Sequence, residues 1–312
     1  LALPILRQPR QPRSEQDAGP IDWLGAVLLV GSAVVLILSG THLHGGEESF
    51  TSSEGLGYHF PMQGLFVVLL IAFVLVERRV RYPVIPLVHF KQREFSLSLG
   101  SNVTYHFSML ATMTLVPILV EEGFGKSPLF VTVVLLPSQT LGLFMPLLAG
   151  WIFDKYQPRM LRPGAMAFIA GGFLLLGLSA PHVSFWVIPL LMLPISIGTN
   201  MFNPINNATV MNSLPLEHRG VASGMLETTR EMGHALGATA AATTLAFSLP
   251  AAIDLLSDEA ARSFFVEGFR VASLMVVLTL LFGGTLAYFH KGLPTSGAQP
   301  APAQPSLETG DD

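Results

Sequence analysis

The chain has 312 residues, 50% of them hydrophobic and only 12% charged, against about 25% charged in an ordinary soluble domain. A formal net charge of −4 leaves no basic footprint for nucleic acid, and the absence of cysteine excludes disulfides and thiolate chemistry. This composition predicts an all-α polytopic membrane protein and excludes the usual soluble classes.

Leu1 opens the chain, and no basic n-region or cleavage site precedes an apolar core, so no signal peptide is expected. Residues 1–6, LALPIL, resemble the last turns of a helix, and 7–20 form a polar, proline-containing linker. The sequence therefore reads as a piece of something longer. A helical span needs about 20 mostly apolar residues. Eight stretches qualify: 22–41, 61–78, 95–120, 127–153, 163–181, 185–210, 219–249 and 268–290. Alternation at period two is missing, which argues against a β-barrel.

The connections carry a charge bias. Arg7, Arg10, Arg13, Arg78, Arg79, Arg81, Lys91, Arg93, Lys155, Arg159, Arg162, Arg219 and Lys291 fall on one side, and only Lys126, Arg262 and Arg270 on the other. By the positive-inside rule the first set is cytosolic, and so is the C-terminus. The expected organisation is a truncated helix end and linker (1–20), two transmembrane linker helices (21–80) and a cytosolic loop (81–94). A six-helix bundle (95–291) and a disordered Pro- and Ala-rich cytosolic tail (292–312) complete it. The first two spans read as peripheral and lipid-facing, because the last six hold most of the prolines and polar residues. Loop 82–95 is expected on the membrane interface. Segment 250–267 is either a short interfacial helix or a solvated loop.

Four ionisable residues stand inside the seventh span: Glu227, Arg230, Glu231 and His234. Counted from Gly220 at about 1.5 Å per residue, Glu227 lies roughly 10 Å deep, and Arg230 and Glu231 roughly 15–17 Å deep. At about 100° per residue all four share an arc of roughly 100°. A charge exposed to lipid at that depth costs about 2.5–3.5 kcal/mol on insertion scales. The face is therefore expected to meet a polar cavity or a paired interior. Two readings stand. One is a self-satisfied patch that holds helices together. The other is a proton- and cation-handling site, because one cation does not neutralise two acids and an unpaired acid in low dielectric keeps its proton.

Other polar residues recur at helical spacing. Asn200, Asn203 and Asn207 share a face beside Pro204, and Asn102 and His106 stand one turn apart near Tyr105 and Thr112. Ser138 and Gln139 follow Pro137. Met109, Met113, Met145, Met201, Phe107, Phe144 and Phe202 suit either an adaptable substrate wall or plain packing. Gly233 and Gly237 fit close helix approach. His42, His44, Glu47 and Glu48 have no visible second half-site, so no metal is expected. The sequence contains no Walker loop, Ser-His-Asp arrangement or H-E-x-x-H.

After the fourth span comes GWIFDKYQPRMLR, with Gly150, Asp154, Lys155 and Arg159. It resembles the cytosolic G-x-x-x-D-[RK]-x-G-[RK] signature of the major facilitator superfamily in its second, degenerate copy, departing at Gln157, where the family prefers Gly. LPLEHRGVASGMLETTREMGHALG resembles the penultimate helix of the 14-helix drug:proton antiporter branch, the EmrB/QacA-like exporters. GPIDWLGAVLL (19–29) and PVIPLVHFKQREFS (83–96) are similar to that branch's linker-helix start and to the loop before its ninth helix.

The resemblance implies helices seven to fourteen: two linker helices and the six-helix C-terminal half of a facilitator fold. It implies a secondary active transporter, not an enzyme, that exports amphipathic, cationic compounds in exchange for protons. The proton gradient is the energy source and no cofactor is required. Partners are membrane lipid, a small-molecule substrate and a missing N-terminal six-helix half, in the inner (plasma) membrane. Glu231 is the first candidate for the proton-linked acid and Glu227 the second. Arg230, His234, Asn203, Asn207, Asn102, His106 and Gln139 complete the proton and substrate set. Gly150, Asp154, Lys155 and Arg159 form the cytosolic gate motif. A different substrate on the same fold, such as a siderophore or metabolite, and a non-transporting truncated subunit are the alternatives.

Overall fold

The structure is a computed structural model that describes residues 22–41, 53–81, 83–85, 87–156, 158–250 and 257–289. The linker 7–20, the residues His42, His44, Glu47 and Glu48, Gln157 and the tail 292–312 lie outside the described residues.

All regular secondary structure among the described residues is helical. The helices are α1 (Trp23–Thr41), α2 (Ser53–Glu77), α3 (Arg93–Ile118), α4 (Leu129–Tyr156), α5 (Leu161–Ser179), the one-turn α6 (Ile188–Leu191), α7 (Leu193–Asn212), α8 (Arg219–Ser248) and α9 (Asp258–Tyr288). Local chemistry sets several boundaries. Pro189 and Pro194 occupy the first turns of α6 and α7, where a missing N–H is harmless. Gly125 at φ 59° turns the chain between α3 and α4. Ser257 caps α9 through a hydrogen bond from the Ala260 N–H at 3.5 Å, and Asp258 and Glu259 follow in the dipole-favoured first turn. Downstream of Pro117, α3 runs into a π turn at Leu119–Gly123.

Six segments are long and apolar enough to cross a membrane: Gly57–Glu77, Arg93–Gly123, Leu129–Tyr156, Leu161–His182, Phe185–Asn212 and Asp258–Tyr288. These are six of the eight expected stretches; among the described residues α1 is a shorter apolar helix, and α8 has the length but not the apolarity. Its deficit comes from Thr228, Thr229, Thr239 and Thr243 as well as from its charged residues. The segment 250–267 is corrected. From Asp258 onward it belongs to α9, which continues without a break past residue 268.

Helices α3–α5 and α7–α9 form a bundle, with α3 packed on α8 and α9, α5 on α7 and α9, and α4 on α7. Its core contains Leu115, Met166, Phe173, Phe202 and Phe269. The α1–α2 hairpin joins this bundle through α1, which packs on α8, while α2 packs extensively on α1 alone among the described helices. A second cluster, including Phe73, Ile85, Phe95, Leu99 and Met225, ties the hairpin to α3 and α8. The outward faces carry Val30, Val68, Leu143, Leu147, Leu278 and Phe282, as a surface in contact with acyl chains requires. Within the bundle α4, which holds Pro137 and Pro146, is as exposed in this chain as α2.

Candidate functional site

Helix α8 approaches α3 closely because Gly233 and Gly237 carry no side chain. A methyl group at Gly233 would stand 2.5 Å from the Val103 carbonyl oxygen, and one at Gly237 would meet the Phe107 backbone. This contact fixes the rotation of α8. It also turns Glu227, Arg230 and Glu231 away from the packed seam, where their side chains remain 56%, 43% and 42% exposed.

The guanidinium of Arg230 serves both acids. Its Nη2 pairs with Glu227 Oε1, and its Nε donates to Glu231 Oε1 at 3.3 Å. His234 Nδ1 lies 3.8 Å from the same Glu231 oxygen. Across the seam, His106 Nδ1 stands 3.1 Å from His234 Nε2, so the two rings share one proton along that line. The geometry shows the pairing that the first reading of the charged stretch expects. The patch is internally paired, yet one guanidinium between two carboxylates leaves one negative charge when both are ionised.

Helix α7 brings its amides to the same place. Asn102, His106, Asn203, Asn207, Leu226, Glu227 and Arg230 line one polar cavity of about 70 Å³ between α3, α7 and α8. The Asn203 Oδ1 atom is buried there without a protein partner. Glu231 and His234 stand one turn further along α8, joined to this cavity through Arg230 and His106. The nine candidate residues are therefore not all in one place. Gln139 lies in a second cavity of about 160 Å³, with Met109, Thr112, Met113, Ser138, Ser196 and Asn200. Ser138 and Ser196 are hydrogen-bonded to each other across α4 and α7. The two cavities follow one another along the same faces of α3 and α7.

The apolar candidates divide. Met109 and Met113 line the second cavity. Phe202 is fully buried against Tyr105, with centroids 4.9 Å apart, and Phe144 is exposed on α4. The gate-motif residues Gly150, Asp154 and Lys155 end α4, and Arg159 lies in the turn that follows. Lys155 Nζ sits 5.0 Å from the Trp151 ring centroid, and the Arg159 guanidinium 5.8 Å from that of Tyr288.

Sequence reasoning missed a buried polar chain behind the cavity. Arg162 Nη2 donates to Asn206 Oδ1 at 2.6 Å, and Asn206 Nδ2 donates to Asn102 Oδ1 at 3.2 Å. Asn102 Nδ2 donates to Thr229 Oγ1 at 2.9 Å and to the Leu226 carbonyl at 3.1 Å. The chain crosses α5, α7, α3 and α8. Arg162 is 5% exposed, and Glu94 supplies its opposing charge. In the sequence Arg162 reads as one more flanking positive charge. Asn206 escapes notice because it lies off the face shared by Asn200, Asn203 and Asn207.

Residues 21–238 match the sequence model of the Major Facilitator Superfamily. The chain is 27% identical to Multidrug resistance protein 3 of Bacillus subtilis over 220 residues, which cover 70% of this chain and 42% of that protein. It is 24% identical to Multidrug transporter protein MdtP of the same organism, over 73% of this chain and 41% of the relative. To Multidrug efflux pump LfrA of Mycolicibacterium smegmatis it is 24% identical, over 53% of this chain and 33% of the relative. The chain thus spans about two fifths of the length of these curated relatives.

Proposed function

The chain belongs to the Major Facilitator Superfamily, a family of transporters and not of enzymes, and on that premise we propose that it forms part of a proton-coupled exporter of amphipathic, cationic compounds. As a member it is a multi-pass membrane protein. In this reading α1 and α2 are the linker helices, and α3–α5 with α7–α9 are the C-terminal six-helix half, helices seven to fourteen of the drug:proton antiporter plan. The chain sits in the inner membrane with its C-terminus in the cytosol. It rocks against a second six-helix half, and substrate binds between the two near the midplane.

One observation carries the proposal: a single guanidinium divided between two carboxylates, at the edge of an amide-lined cavity in a membrane helix. An ionised acid beyond the reach of Arg230 attracts a lipophilic cation, and a proton at the same oxygen releases it. Competition for one site is the simplest form of exchange. Asn203 and Asn207 orient polar groups of the substrate, while Met109 and Met113 offer an adaptable wall beside Gln139. The relatives whose names state multidrug resistance, transport or efflux support drug-like compounds as the cargo.

Dye efflux by the complete protein tests the reading. Glu231→Gln is expected to abolish efflux while the protein still inserts. Undiminished efflux with an unchanged pH profile would remove Glu231 from the mechanism.

A further inference from the structure

The α1–α2 hairpin meets the bundle mainly through α1, with Phe73 of α2 reaching the cluster of Phe95 and Leu99. Helix α1 packs on α8 and α2 packs on α1, but α2 has no extensive contact with α3. The gap so left is an apolar cavity of about 290 Å³, close to the small end of ligand pockets, about 300 Å³. Leu70, Phe73 and Val74 of α2 face Leu99 and Val103 of α3 across it, and Met232 of α8 contributes to its wall. A neighbouring cavity of about 240 Å³ shares Leu29, Ile85, Met225 and Thr228 with it.

The segment that closes this gap is built for a membrane surface. Glu77 folds it back on α2, accepting from the backbone N–H groups of Val84 at 3.1 Å and Ile85 at 3.3 Å. A 3-10 turn follows at Leu87–Lys91, with Leu87 and Phe90 lining the cavity and Val88 turned out. Exposed basic side chains flank this segment in the chain, Arg78 and Arg79 at the end of α2 and Lys91 and Arg93 next to Phe90. An apolar slot whose covering segment is flanked by cations matches a ligand with a hydrocarbon tail and an anionic head.

We propose that the gap between α2 and α3 is a binding site for an anionic phospholipid, with an acyl chain in the cavity and the phosphate on the basic rim of residues 78–93. A lipid fits better than a free anion because the pocket's interior offers almost nothing polar. It fits better than a neutral lipid because the exposed charged residues of 78–93 are all basic; basic pockets between transmembrane helices bind anionic headgroups by the same electrostatics.

The test is the lipid that stays with the full chain when it is purified from bacterial membranes into mild detergent, measured by mass spectrometry. Phosphatidylglycerol or cardiolipin is expected to be retained several-fold above its share of the membrane. Arg78→Gln, Arg79→Gln and Arg81→Gln together should remove that enrichment. Leu70→Trp, which fills the cavity and leaves the rim intact, should remove it as well. Val74→Phe provides the same test if Leu70→Trp fails to accumulate. Inorganic phosphate at millimolar concentration should not displace the lipid. Retention unchanged by the filling variants, release by phosphate alone, or equal retention of neutral and anionic lipid would each overturn the proposal. The readout is lipid rather than transport, so a chain that exports nothing still answers it.

Discussion

His106 on α3 and His234 on α8 face each other at 3.1 Å, Nδ1 to Nε2, directly beside the seam where Gly233 and Gly237 admit the backbone of α3. One of the two nitrogens donates and the other accepts, so the pair holds together with one ring neutral and separates when both are charged. Arg230, Glu227 and Glu231 of α8 face this pair, as does the Tyr105 ring beside His106. The acid cluster is therefore wired to the helix contact that positions it.

The seam itself gives the first prediction. A Cβ at Gly237 meets the Phe107 backbone, which has no rotamer with which to give way. Gly237→Val should push α8 off α3 and destabilise the protein by about 1–3 kcal/mol or more, as overpacking does. Thermal unfolding in detergent would show it, whereas Gly224→Ala, whose added Cβ has open space, should leave the midpoint unchanged.

Charge balance gives the second. Arg230→Leu leaves Glu227 and Glu231 facing each other without a cation and should lower the amount of protein inserted in the membrane. Adding Glu227→Gln returns the cluster to the single negative charge of the unchanged chain and should restore much of the inserted protein. If the double variant inserts no better than the single one, the two side chains do not act as a pair.

The buried amide chain gives the third. Asn206 donates to Asn102, and each is held by a further partner, Arg162 and Thr229. A double-mutant cycle with Asn102→Ala and Asn206→Ala should yield a coupling of about 0.6–1.7 kcal/mol, the range for hydrogen bonds between membrane helices. Additive losses would mean that the contact contributes nothing as a pair.

His89 gives the fourth. It is buried in the loop before α3, its ring centroid 4.6 Å from that of His218 and 6.4 Å from that of Phe95. Burial, and then the neighbouring His218, hold its proton affinity below the ordinary imidazole value. The folded state thus favours the neutral ring. Stability from this group is complete above the ordinary value, about 6.5, and declines as the pH falls below it. Unfolding midpoints at pH 7.5 and 5.5 should differ less in His89→Leu than in the unchanged chain.

The helices were legible in the sequence because long apolar runs and alternating loop charge leave few other arrangements. The clustering of Glu227, Arg230 and Glu231 on one arc follows from helical period alone. What periodicity does not supply is which helix lies opposite. The pairing of His106 with His234 and the meeting of Asn102 with Asn206 depend on packing between residues more than 100 positions apart in the chain. Gln139 reads as equivalent to Asn203, but the level of α4 against α7 assigns it to a different cavity. Arg162 was hidden for another reason: a buried arginine and a loop arginine look alike until their neighbours are known. The polar composition of α8, which weakens it as a span, is the same feature that marks it as the helix of the site.

Water access to the acid-bearing face of α8 tests the central claim most directly. These 312 residues contain no cysteine, so once any cysteine elsewhere in the complete protein is replaced, single cysteines report without background. In membranes carrying the complete protein, Glu227→Cys, Glu231→Cys and Asn203→Cys should react with a charged, water-soluble methanethiosulfonate, while Leu278→Cys on the outward face of α9 should not. Protection of Glu227→Cys and Glu231→Cys to the same degree as Leu278→Cys would place that face against lipid and contradict the account.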